Sequence, residues 1–248
     1  MDCHYWDIAT SIWDTFPPLS EPHATGGLVV VDFGPMAIGG KNLLDHYTNS
    51  VEVYNETIGL WEPHVDLPIA LSGIVAHAIN PKTIIVSGGL GENFSKVFKL
   101  VEGDSMWTKL EDLPFLIFFQ TSLFLTLPEL GTGILAIGGY TRATPGDPDQ
   151  ATRKAYFWDI TVETWELVEQ YNWPTGNYFA DGIMYRFGNK LIASPFFERA
   201  NGTNYKPTKS MLAKDLTNIS APWTIYETNI EKGAIAQFGI EIDDYAFS

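Results

Sequence analysis

The chain has 248 residues, 45% of them hydrophobic and 14% aromatic, and 15 basic against 30 acidic residues leave a net charge of −15. That balance makes nucleic acid and an anionic membrane surface poor partners for the body of the protein, and no apolar run approaches the roughly 18–20 residues of a membrane-spanning helix. One cysteine, Cys3, excludes an internal disulfide framework and a CxxC metal site.

The opening residues, MDCHYWDIATSIWD, lack the basic-then-apolar order of a secretory leader. The chain therefore reads as cytoplasmic if it is complete, and as extracellular if it is a fragment that has lost its leader.

Taken in order, the elements repeat. The front supplies half a copy: HYWDIAT (4–10), Trp13, then Phe16-Pro17-Pro18-Leu19. The first full copy runs PMAIGG (35–40), SVEVYNE (50–56), Trp61 and Leu67-Pro68. The second runs TIIVSGG (83–89), SKVFKLVE (95–102), Trp107 and Leu113-Pro114. The third runs GILAIGG (133–139), KAYFWDIT (154–161), Trp165 and Trp173-Pro174. A weaker fourth has KLIASPF (190–196), with Ser194-Pro195 where the Gly pair is due, then SMLAKDL (210–216) and Trp223. The tail KGAIAQFGIEIDDYAFS (232–248) resembles the first half of a copy, with Gly233 aligned to Gly73.

The Gly pairs begin at 39, 88 and 138, and the tryptophans from Trp13 to Trp223 are 48, 46, 58 and 58 residues apart. A repeat of this length is one supersecondary unit that buries its apolar faces only against its neighbours. Each copy reads as four short strands: alternating Leu/Ile/Val before the glycines, then an aromatic run and a Trp-bearing run. No segment keeps a 3.6-residue apolar period for a dozen residues, so nothing helical competes.

Gly pair, aromatic run and Trp at a period near 50 resemble the kelch repeat. That resemblance implies an all-β propeller with one four-stranded blade per copy. It assigns Gly39-Gly40, Gly88-Gly89 and Gly138-Gly139 as the blade-defining pairs. It assigns Tyr54 with Trp61, Phe98 with Trp107 and Phe157 with Trp165 as the aromatic partners. The expected blades cover about 20–66, 67–112, 113–172 and 173–228, and a closing blade is shared by 1–19 and 229–248. Five blades in a single domain result, the alternative being a fragment of a six-bladed ring.

In a propeller the loops between strands two and three share a face with the connectors between blades. Here those loops are 41–50, 90–96, 140–154 and 196–210, and they hold eight of the 15 basic residues against five acids. Six of the eight lie on the two longest loops: Arg142, Arg153, Lys154, Arg199, Lys206 and Lys209. Tyr140 and Tyr205 lie among them, so basic forks and rigid aromatic area share one rim, a make-up suited to an acidic segment of a partner protein.

Other motifs carry less. SGGLGEN (87–93) resembles a phosphate loop, but a β-run follows it and no Lys-Ser/Thr does. The five histidines are scattered without metal-ligand spacing, and no G-x-S-x-G elbow occurs. The sequons at Asn55, Asn93, Asn201 and Asn218 suit surface turns with or without glycans. The expected role is a non-catalytic protein-binding adaptor or scaffold without a cofactor or metal. The alternative is an enzyme on the same scaffold acting on a carbohydrate or another small molecule.

Overall fold

The computed structural model describes residues 3–91, 95–142, 149–175, 177–200, 205–207 and 210–227. Within them the chain is antiparallel β, relieved by one short 3₁₀ turn at Glu169–Tyr171. Four sheets of meandering strands follow one another. Blade 1 is Gly27–Val31, Gly34–Ile38, Val51–Asn55 and Leu60–Pro63. Blade 2 is Val75–Asn80, Thr83–Ser87, Val97–Val101 and Thr108–Lys109. Blade 3 is Thr121–Leu127, Gly131–Ile137, Ala155–Asp159 and Thr164–Leu167. Blade 4 is Asn177–Phe187, Lys190–Ala200, Ser210–Asp215 and Thr224–Glu227, with Tyr205–Pro207 added beside its second strand.

One four-stranded antiparallel sheet per copy is what the repeat implies, and the succession is consistent with a kelch-like propeller. The first strands of blades 1 and 2, 2 and 3, and 3 and 4 touch in chain order. Strand residues point alternately to the two faces, so each blade offers one apolar face to the blade before it and one to the blade after it. Two large cores result. Met36, Ile38, Leu67, Leu71, Ile84, Phe98 and Trp107 are buried between blades 1 and 2. Leu135, Ile137, Phe157, Tyr171, Trp173, Phe179 and Trp223 are buried between blades 3 and 4.

The Gly pairs let each connector cross over the end of the blade before it. Gly40, Gly89 and Gly139 donate their N–H to the connector carbonyls of Leu71, Ile117 and Phe179 at 2.7, 3.0 and 3.0 Å. Gly139 sits at φ +85°, and a Cβ there would lie 2.6 Å from the Phe118 carbonyl oxygen. Both the backbone angle and the close approach require glycine.

Three of the repeat tryptophans fasten the segments that lead into their blades. Trp61, Trp107 and Trp223 are buried, and their indole N–H groups donate to the carbonyls of Pro17, Val65 and Tyr171 at 2.8, 2.8 and 3.1 Å. Each acceptor lies on the segment that leads into the tryptophan's own blade. Trp165 is only partly buried, and its Nε1 has no partner among the described residues.

Register corrects two details of the repeat alignment. Tyr54 lies opposite Trp61, and Trp158 lies opposite Trp165. The equivalents of Tyr54 are therefore Leu100 in blade 2 and Trp158 in blade 3, not Phe98 and Phe157. In blade 4 the equivalent is Lys214, because Leu191 pairs with Lys214 as Ile134 pairs with Trp158. The same offset puts Pro195-Phe196, one residue later than Ser194-Pro195, in the place of the Gly pair.

The N-terminal half copy is a hairpin, Cys3–Asp7 with Ile12–Phe16. Phe16 packs on Tyr54 and Trp61, with ring centroids 4.4 and 6.0 Å away, so the hairpin lies on the outer part of the face of blade 1 turned away from blade 2. The tail assigned to complete a closing blade, 229–248, is outside the described residues.

Candidate functional site

One end of the blades carries a crown of short β-pairs between connectors and the loops joining strands two and three. Ala24 bridges Lys41 at blade 1, and Leu71–Ser72 pairs with Leu90–Gly91 at blade 2. Leu116–Phe118 pairs with Tyr140–Arg142 at blade 3, and Gln150–Ala151 extends that ladder. In blade 4 the two ladders are continuous, so the first two strands run on to the pair Asn177↔Ala200. Connectors and loops therefore do share a face.

Thr25, Gly73 and Phe119 each stand two residues before a first strand and adopt positive φ: 57°, 66° and 53°. The Gly73 N–H donates to the Thr25 carbonyl at 2.7 Å, and the Phe119 N–H to the Gly73 carbonyl at 3.0 Å. Holding a phenylalanine in that conformation costs on the order of 1–3 kcal/mol. Phe119 keeps it because its ring lies over Gly73, where a Cβ would come within 3.1 Å of the ring. This inner rim, with Ser72 and Gln120 beside it, was not singled out from the sequence. Its signal is the fixed offset from the start of each first strand.

The residues expected on the rim fall into three groups. Tyr140 is buried with Phe118 and Ala180, its ring 5.5 Å from that of Phe118 and 6.2 Å from that of Phe119. It supports the face rather than projecting from it. Arg142 lies over the Phe118 ring, 5.5 Å from its centroid, and pairs with Asp149. Arg153 donates from Nη1 to the Trp173 carbonyl at 3.2 Å, while the Lys154 side chain is exposed. Arg199 lies opposite Tyr178 and Tyr205 in the blade 4 ladders, and Lys206 lies opposite Glu198. The side chains of Arg199, Tyr205 and Lys206, and all of Lys209, are outside the described residues. Ala180 of blade 4 packs with Tyr140 of blade 3, so the two long hairpins do rise from adjacent blades.

Two buried polar clusters lie elsewhere. Glu52 is buried on the face of blade 1 turned away from blade 2, and burial by itself would raise its pKa. The N–H groups of Ser20 and Glu21, at 2.9 and 2.8 Å, with His23 at 3.3 Å, instead hold its carboxyl below the usual range. Its role is to fasten the segment leaving the N-terminal hairpin. Lys214 is buried where the other blades carry Tyr54, Leu100 and Trp158, and it donates to the carbonyls of Ile219 and Ala221 at 2.7 and 2.6 Å. Burial lowers its pKa. Beside it, Tyr171 donates to Glu129, and burial pushes the phenol up. Glu52 and Lys214 are thus held chiefly by backbone partners.

At the opposite end from the crown, a cleft of about 470 Å³ is lined by Asp32, Glu56, Glu62 and Glu102 around the stacked rings of Phe33 and His64. Among the described residues, no three His, Cys, Asp or Glu side chains are placed to hold a metal ion.

Comparison with known proteins bears on the repeat. Kelch-like protein 33 of Homo sapiens is 34% identical over 86 residues, which is 35% of this chain. The matched stretch is 16% of that relative's length. No family model matches the chain.

Proposed function

We propose that this chain, kelch-like in its repeat, its four-stranded blades and its relative, is a non-catalytic protein-binding module. Its binding face is the crown, and its partner presents an acidic segment. The single observation that carries the reading is the ladder that joins every described connector to the loop beside it. A scaffold that holds variable loops in fixed positions on one face is a common way to present a recognition surface. The proposed contacts are Arg142, Arg153, Lys154, Arg199, Lys206 and Lys209, with Tyr140 and Tyr205 as their aromatic support.

Three of the described loop cations are ion-paired within the protein, through Lys41–Asp45, Lys96–Asp112 and Arg142–Asp149, and Arg153 donates to the Trp173 carbonyl. An acidic partner therefore competes with Asp149 for Arg142, and such rim pairs weaken as salt rises. The proposed ring is closed by 1–19 together with 229–248, which also belongs to this reading.

The test is titration of a fluorescent Asp/Glu-rich peptide into the full chain at two salt concentrations. The expected result is saturable binding that weakens at high salt. The Arg142→Ala/Arg153→Ala/Arg199→Ala variant should lose it at least tenfold, with its thermal midpoint close to that of the parent. Full-strength binding by the triple variant would move the site elsewhere.

A further inference from the structure

The three junctions between described blades are not built alike. Ile38, Ser87 and Ile137 each precede a Gly pair at the same register. Ile38 is buried with Leu67, Leu71 and Ile74 of the blade 2 connector and strand start, and Ile137 with Trp173 and Phe179 leading into blade 4. Between blades 2 and 3 the equivalent residue is Ser87, and Gln120 stands where blade 2 has Ile74. Both are buried, at 1% and 3% exposure. Among the described residues, neither Ser87 Oγ nor Gln120 Nε2 has a hydrogen-bond partner.

The difference continues outward along the same junction. Val29 and Ala76, which line the junction of blades 1 and 2, are replaced by His77 and Ser122, hydrogen-bonded at 2.8 Å. Farther out, Trp158 Nε1 and Trp165 Nε1 are buried without a partner among the described residues; the junction of blades 3 and 4 has one such atom, Trp173 Nε1, while Trp107 and Trp223 are fastened across their junctions. Among the described residues, the apolar core at this junction has six buried members, against 13 between blades 1 and 2 and 16 between blades 3 and 4.

A buried polar atom without a partner has lost its hydration for nothing. Four of them along one interface favour states in which water reaches between the sheets. Local opening of a protein follows such boundaries between better-packed units. We propose that blades 2 and 3 meet at a hydrated seam, where the chain opens into two blade pairs while blades 1–2 and 3–4 stay closed. The opening is a property of the free chain and needs no partner.

The three Gly amides that donate across the junctions are built-in reporters: Gly40, Gly89 and Gly139 occupy one structural position, with acceptors at 2.7, 3.0 and 3.0 Å. Residue-resolved hydrogen exchange on the full chain should show Gly89 exchanging at least tenfold faster than both others. Ser87→Ile/Gln120→Ile copies the Ile38–Ile74 pair and should slow Gly89 at least tenfold, leaving Gly40 and Gly139 unchanged. Protection of Gly89 equal to that of Gly40 and Gly139 in the parent would overturn the proposal, and so would a folded double variant with unaltered Gly89 exchange. The comparison within the parent stands even if the double variant does not fold.

Discussion

Blades 1 and 2 meet through Ile38, Ile74, Phe98 and a hydrogen-bonded Trp107, whereas blades 2 and 3 meet through Ser87, Gln120, His77 and an unfastened Trp165. The backbone pattern is the same at both junctions, down to the Gly amide that donates to the connector. What differs is which side chains the shared register brings face to face. The fold therefore depends on backbone devices that tolerate variation, and the cohesion of each junction depends on pairs of residues that do not.

The largest expected effect separates the two tryptophans. Trp107→Ala removes a buried indole and its hydrogen bond to Val65, and should cost about 3–5 kcal/mol in urea unfolding. Trp165→Ala removes a partly exposed indole whose N–H has no partner among the described residues, and should cost about 1–2 kcal/mol. Equal losses would erase the contrast between the junctions.

Much of the fold was legible because its signals are ones that few other residues can replace. A Gly pair marks positive φ beneath a crossing connector, and Trp marks a large ring with a donor at its rim. The aromatic partners were harder to place because runs such as KAYFWDIT carry aromatics on both faces, and a slip of one residue exchanges the faces. Phe157 thus took the place that belongs to Trp158. Nothing in an apolar alphabet suggests Lys214 as the equivalent of a tyrosine, since its burial depends on the carbonyls of Ile219 and Ala221.

On the candidate face, the concentration of charge in the loops was readable. Its internal pairing was not, because Arg142 meets Asp149 only through the loop between them. The seam was hidden more deeply, since Ser87 and Gln120 are 33 residues apart in the sequence and share no motif.

A smaller effect comes from pH at the same junction. Burial pushes the His77 pKa down to about 4, so the folded chain holds the ring neutral beside Ser122. The unfolded chain takes up a proton near the ordinary histidine value of about 6.5. His77 thus contributes its full stability above that value and loses it progressively as pH falls toward 4, by roughly 2–3 kcal/mol. His77→Gln should flatten this part of the stability profile relative to the parent, as followed by urea midpoints at pH 7, 6 and 5. Parallel profiles would show that the ring is protonated equally in both states.

The repeat tryptophans fasten each blade to the segment leading into it, at every described place except the seam. Indole N–H exchange, followed by NMR on the intact chain, tests it most directly. Trp61, Trp107 and Trp223 should exchange slowly and Trp165 at least tenfold faster. Protection of the Trp165 indole equal to that of Trp107 would contradict it.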